Sequence, residues 1–307
     1  MYKIVSVEQV SKYFSAKKAV DKLSLQVFKG EIMGLVGPDG SGKTTLLRIM
    51  TGIYGSYNGC VRILGYTNKS EAIKQKIGYM PQNFSLYPNM TLLENLEFIA
   101  ALYALEQSLA KEKIRHMLEF TNLWQFRERL AGNLSGGMKQ KLALAAAVMH
   151  EPEVLFLDEP TTGVDPVARR EFWQLLYALN KKEMTIIVAT PYMDEAALCH
   201  KIFFMQQGHG LICESPQYIT AMYPYTVLEL ASKDRNLPQL LSGSYLLDIE
   251  FFSDTYHIIT DKPERTIKEV QSKLSIYGMT ANMKKVNPSL EDAFILLAEK
   301  GMLSWQK

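Results

Sequence analysis

"LVGPDGSGKTTLL", residues 35–47, decides the fold. Two apolar residues run into a glycine-rich turn, and the turn opens onto a lysine, two threonines and the first apolar residues of a helical pattern. Gly37 to Thr44 match the spacing G-x-x-x-x-G-K-[ST] between a strand and a helix. Glycines let successive backbone N–H groups point at phosphate oxygens, and a helix N-terminus adds partial positive charge. The candidate phosphate cradle is Gly37, Pro38, Asp39, Gly40, Ser41, Gly42, Lys43, Thr44 and Thr45. Lys43 is placed to reach the β and γ phosphates of a nucleotide, and the Thr44 hydroxyl to ligate Mg²⁺.

Outward from this loop, "KIVSVEQV", "LSLQVF" and "EIMGLVG" read as strands upstream, and "TTLLRIMTG" as a helix with Gly52 as its stop. A helical region covers about 91–150. Strands return in "VLFLDEP" (154–160) and "TIIVAT" (185–190), with a helical stretch between them. Strands alternating with helices predict an α/β fold around a mainly parallel sheet. The first of these returning strands presents Asp158 and Glu159 at its end, Asp158 to hold a hydrated metal and Glu159 to polarise an attacking water.

Past Pro216 the pattern changes to "TVLELAS", "LLDIEFF", "YHIITD" and "NMKKV" as strands, with a helix over "ERTIKEVQSKLSIYG" and another after "NPSLEDAFILLAEKG". There Ser289 and Asp292 stand at capping-box spacing. The expected boundaries are 1–216 for a large α/β domain and 217–307 for a small α+β domain.

Composition narrows the function classes. With a net charge of +2 and its lysine pairs scattered, the 307-residue chain has no basic stripe for nucleic acid. Cys60, Cys199 and Cys213 show no ligand spacing and read as structural. "MYKIVSVEQVSKYF" lacks the apolar core of a signal peptide, and no run reaches the roughly 18 apolar residues of a membrane span. A membrane role would therefore be peripheral, through a partner.

Between the two halves of the phosphate site lies "NLSGGMKQKLALAAAV" (133–148), and "TTGVDP" (161–166) follows Glu159. With these motifs in this order, residues 1–215 resemble the nucleotide-binding subunits of ABC transporters. The resemblance implies a P-loop NTPase with an antiparallel β subdomain and a helical subdomain over about 83–150. It implies ATP and Mg²⁺ as ligands and ATP hydrolysis as the reaction. It also implies that Gln82 contacts metal and water, and that Phe14, or Tyr13 in its place, stacks on adenine. Ser135, Gly136 and Gly137 then open a helix against the ATP of a second ATPase subunit, and Asp165 communicates between the two sites. Transmembrane permease subunits would dock on the helical subdomain, placing the chain at the cytoplasmic face of the membrane. The wording "LSGGMKQKLALA" together with the tail is most similar to drug and polysaccharide exporters, whose small C-terminal domain regulates or steadies the dimer.

Two positions depart from that family. Asp39 stands where asparagine is usual. At 191 the family has a histidine that contacts the γ-phosphate and braces the catalytic glutamate; this chain has Pro191, which has no donor. The expectation is a site that binds ATP and turns it over slowly, in an asymmetric dimer with a fully equipped, non-identical partner; pairing with a second copy of the same chain stays open. A nucleotide-sensing subunit with negligible hydrolysis stays open. A non-transport ATPase acting on DNA or the ribosome fits less well. The 92 residues from Lys43 to Ser135 leave no room for a long coiled coil, and the chain has a single ATPase core.

Overall fold

A computed structural model describes residues 2–300 except 16, 233, 253, 280 and 281. The chain divides into two compact units, 1–216 and 217–307.

The first unit carries two sheets. One is antiparallel, in the order β2-β1-β4-β5, from β1 (Lys3–Phe14), β2 (Lys17–Phe28), β4 (Asn58–Ile63) and β5 (Tyr66–Thr67). The other contains β3 (Ile32–Val36), β6 (Ile77–Met80), β7 (Val154–Asp158), β8 (Thr185–Thr190), β9 (Lys201–Gln206) and β10 (His209–Glu214), in the order β10-β9-β3-β8-β7-β6. Every pair in this sheet is parallel except the β9–β10 hairpin. β3, β7 and β8 are buried at every residue, as near-continuous apolar strands in a sheet covered on both faces must be. Between the sheets packs α1 (Lys43–Met50), with Leu46, Leu47, Ile49 and Met50 all inaccessible to solvent.

The helical part holds α2 (Leu92–Leu102), α3 (Gln107–Phe120) and α4 (Gly136–Val148) around its own core of Leu92, Leu96, Leu118, Leu142 and Met149. Thr91 and Glu94 form a full capping box at the start of α2. α4 is buried throughout Leu142–Val148, which accounts for its unpatterned "LALAAAV". α5 (Pro166–Asn180) and the short α6 (Met193–Ala196) follow β7 and β8, and α7 (Pro216–Ala221) comes after β10. No helix among the described residues is long and apolar enough to cross a membrane. All three cysteines are free; burial pushes the Cys213 thiol up to about 11, away from reactivity at neutral pH.

In the second unit β11 (Thr226–Ala231), β12 (Asp248–Phe252), β13 (Thr255–Thr260) and β14 (Met283–Val286) pair antiparallel in the order β12-β13-β11-β14. Short α8 (Leu237–Leu240) and α9 (Pro263–Ile276) contribute Leu237, Val270 and Leu274 to a core with Leu228, Leu230 and Ile258. α10 (Leu290–Lys300) begins at Ser289, whose hydroxyl accepts the Asp292 amide at 3.1 Å while its own amide donates to the Asp292 carboxylate at 2.6 Å. Asp292 also bonds His257 Nδ1 at 2.9 Å.

This unit is built to lose stability as pH rises. The hydrogen bond to Asp292 raises His257 above its ordinary 6.5, so its contribution is complete below that value and disappears as pH rises through the folded pKa. Burial, then Asp248, Asp292 and Glu299, raise Glu250 from 4.5 to about 7, and His257 opposes them. Neither Glu250 oxygen has a hydrogen-bond partner among the described residues, so its ionisation sets in as a penalty between those two values. The thermal transition of this unit is expected to fall as pH rises from about 5 to about 7, the span over which Glu250 ionises, and to go on falling as His257 loses its proton. Glu250→Gln should recover a few degrees at the upper end. Parent and variant with the same pH profile in calorimetry would refute this account.

Candidate active site

The phosphate loop leaves the carboxyl end of β3 and enters α1, the position where open α/β sheets receive ligands. Its turn depends on glycine. Gly42 sits at φ +104°, and a Cβ there would lie 2.5 Å from the Ala19 carbonyl oxygen. The Lys43 side chain is 3% exposed and donates to the carbonyls of Gly37 at 2.7 Å and Pro38 at 3.0 Å, with Glu159 Oε1 3.8 Å away. Burial pushes its ammonium below the ordinary value, and Glu159 is the strongest influence holding it up.

From β7 the chain delivers both acids to this loop. Asp158 Oδ1 accepts the Thr44 hydroxyl at 2.7 Å, and its other oxygen lies 3.4 Å from the Tyr79 hydroxyl on β6. The Asp158 carboxyl is fully buried, and burial pushes it above the usual carboxylate range despite the Thr44 bond. Glu159 is in the left-handed region, φ +49°, where a side chain is strained. Its Oε2 accepts from Gln82 Nε2 at 2.8 Å and lies 3.3 Å from the Thr162 hydroxyl. Three segments far apart in sequence thus meet at one carboxylate: the phosphate loop, the end of β6 and the end of β7.

A cavity of about 240 Å³ opens beside them, lined by Phe14, Lys17, Ala19, Gly40, Gly42, Lys43, Thr44, Thr45 and Glu159. Phe14 is 43% exposed and packs edge-on against Tyr54 at 5.5 Å. The Ser41 hydroxyl is buried in the loop without a hydrogen-bond partner among the described residues, which leaves it free to bind an added acceptor. Pro38 and Asp39 are exposed on the loop's rim. A larger cavity of about 380 Å³, lined by Pro152, Glu153 and Met184 among others, lies at the opposite end of β7 and β8. Two of its charged residues, Lys29 and Glu183, pair with each other at 2.6 Å.

Ser135, Gly136, Gly137 and Asp165 do not line the 240 Å³ cavity. Ser135 caps α4 by accepting the Met138 amide at 3.4 Å, and both it and Gly136 face solvent. A Cβ on Gly137 would come within 2.7 Å of Ala168 Cβ on α5. The Asp165 carboxylate accepts the Val167 and Ala168 amides, each at 3.0 Å, as the N-cap of α5. The structure therefore joins these four into a second cluster, a pair of adjacent helix starts separate from the phosphate loop.

Pro191 follows Thr190 at the end of β8, half-buried. No motif in the sequence signals what surrounds it. Glu195, 1% exposed, accepts hydroxyls from Thr161 and Thr190, and Arg169 approaches it from α5. Tyr79 carries one signal in the sequence, its place on the strand that leads to Gln82.

A model of the ABC transporter family matches residues 20–162. The chain is 36% identical over 301 residues to the probable multidrug ABC transporter ATP-binding protein YbhF of Escherichia coli (strain K12). That match takes in 95% of this chain and 51% of YbhF, so the chain spans about half the length of that relative. To the Nod factor export ATP-binding protein I of Burkholderia pseudomallei (strain 1710b) it is 34% identical over 303 residues, 97% of this chain and 98% of the other. Among solved structures, the ATP-binding cassette MJ0796, dimeric and bound to ADP and Pi in a post-hydrolysis state, is similar with a TM-score of 0.64. The identity is 27%, over 69% of this chain and 98% of that one.

Proposed function

The chain belongs to the ABC transporter family, and we propose that it is the ATP-binding and ATP-hydrolysing subunit of an exporter. One observation carries the reading: the bonds from Thr44 to Asp158 and from Gln82 to Glu159 close three distant segments around a single cavity beside Lys43. Phe14 stacks on the base, and the loop amides, Ser41 and Lys43 bind the phosphates. Glu159 takes the proton of the attacking water, with Gln82 fixing the carboxylate's orientation. Thr44, Asp158 and Gln82 would hold Mg²⁺, which when bound neutralises phosphate charge. A carboxylate whose burial outweighs the help of Thr44, Tyr79, Arg48 and Lys43, as at Asp158, suits that cation.

Residues 1–216 act as the ATPase domain and 217–307 as a separate regulatory or dimer-steadying domain. Ser135 and Gly136, which are exposed, and half-buried Gly137, all set apart from the chain's own cavity, act on the nucleotide of a second ATPase subunit. The dimeric state of MJ0796 supports this pairing. Transmembrane permease subunits complete the transporter and hold the chain at the cytoplasmic face. Export as the direction rests on the similarity to the Nod factor export ATP-binding protein I.

Pro191 makes the chain's own site the slower of two, with a non-identical partner supplying the faster. The same residue favours a second reading, in which the chain binds ATP as a sensor and hydrolyses almost none. Mg-ATP binding and turnover, measured across a wide range of protein concentration, test these readings. Tight binding with slow turnover is expected. Rapid turnover rising steeply with concentration would overturn the asymmetric pair, and failure to bind ATP would overturn the whole reading.

A further inference from the structure

We propose that the Glu195 carboxylate is the positioning group that sets the register of the Glu159 loop against the end of β8. This rests on Glu159 acting in ATP hydrolysis. The loop and the strand touch through one backbone bond, from the Glu159 amide to the Ala189 carbonyl at 2.9 Å. Both sides of that bond are tied to the same acid. Thr161, two residues beyond Glu159, donates its hydroxyl to Glu195 Oε1, and Thr190, next to Ala189, donates to Oε2 at 2.6 Å. The result is a closed ring: Glu159, Ala189, Thr190, Glu195, Thr161.

The chemistry favours a rigid ring. Glu195 is 1% exposed, and a buried carboxylate needs its partners. Hydroxyl bonds to an ionised acid are roughly twice as strong as neutral ones. Arg169 supplies the countercharge, its Nε 3.5 Å from Glu195 and its Nη1 3.1 Å from Asp194, while its guanidinium lies 4.3 Å from the centre of the Tyr192 ring. α5, α6, β8 and the 159–165 loop are thereby fastened at one point.

Glu159 needs such fastening. A left-handed backbone on a residue with a Cβ persists only where its surroundings over-determine it. Pro191 offers no side-chain donor or acceptor and no amide hydrogen, so the Thr190 hydroxyl is the nearest side-chain tether at the strand's end. The ring holds the Glu159 carboxylate where Gln82 and Lys43 meet it.

Thr161→Val in the full chain, with Thr161→Ser beside it, tests the assignment. Two readouts are needed: hydrogen exchange of the amides at 159 and 161–165, and steady-state kcat with KM for Mg-ATP. Valine is expected to speed exchange at Glu159 at least about tenfold and lower kcat by about 10- to 100-fold, with KM unchanged. Serine, which keeps the hydroxyl, should restore both. Exchange unchanged in the valine variant, or loosened amides with kcat intact, would overturn the proposal. If the parent binds ATP and hydrolyses none, the hydrolysis reading fails. The exchange arm then decides by itself whether Glu195 holds the loop.

Discussion

Glu159→Gln is expected to lower ATP turnover by about 10²–10³-fold while ATP affinity stays within a few-fold of the parent. Glutamine keeps the size of the side chain and an oxygen to accept the 2.8 Å bond from Gln82, so the cavity keeps its shape. It loses the capacity to take a proton, and that step alone is worth about 3–4 kcal/mol of barrier. Binding responds differently. The Glu159 charge lies 3.8 Å from the Lys43 ammonium, which burial already pushes below its ordinary value. Without that charge the buried Lys43 ammonium loses the strongest influence that offsets its burial, which costs some affinity. A negative charge beside the γ-phosphate disappears at the same time, which favours binding. The two effects oppose each other. Turnover by phosphate release and affinity by a fluorescent nucleotide separate them. Parent-like turnover in the variant would remove Glu159 from the chemistry.

What made this site legible was spacing. The phosphate loop announces itself because a lysine and a threonine must follow glycines at fixed intervals, and Asp158 because four apolar residues carry it to a strand's end. Thr44 and Asp158 are 114 positions apart, yet the two motifs together predicted that they would meet. The Glu195 ring carried no such signal. Thr161 and Glu195 are 34 positions apart, and a threonine–glutamate bond has no recurring spacing. The strained φ of Glu159 is equally silent, since the left-handed region belongs to glycine by default. Strand pairing was legible only in part. The β9–β10 hairpin turns on Gln207-Gly208, both at positive φ, where asparagine or aspartate before glycine would have given the turn away. In the second unit the four strands could be read, but the order β12-β13-β11-β14 could not, because antiparallel neighbours are chosen by packing on both faces.

Pro191→His is expected to raise turnover by about 10- to 100-fold without tightening ATP binding comparably. Loss of one preorganised donor to the transition state costs about 10²–10³ in rate, and an imidazole at half-buried position 191 recovers part of that. The neighbourhood can accept the change. Thr190 is anchored to Glu195 at 2.6 Å, and the Tyr192 amide donates to the Thr190 hydroxyl at 3.1 Å, so both flanks of position 191 are held independently of the proline ring. Pro191→Ala separates two causes, since it removes the ring and returns the backbone amide without adding an imidazole. An increase confined to histidine identifies a missing side-chain donor as the limit on this site. An equal increase with alanine places the limit in the proline's hold on the backbone. No increase in either, with a parent that already turns over rapidly as a homodimer, would mean that the Glu159–Gln82–Lys43 arrangement suffices unaided, and the asymmetric pair would have to be abandoned.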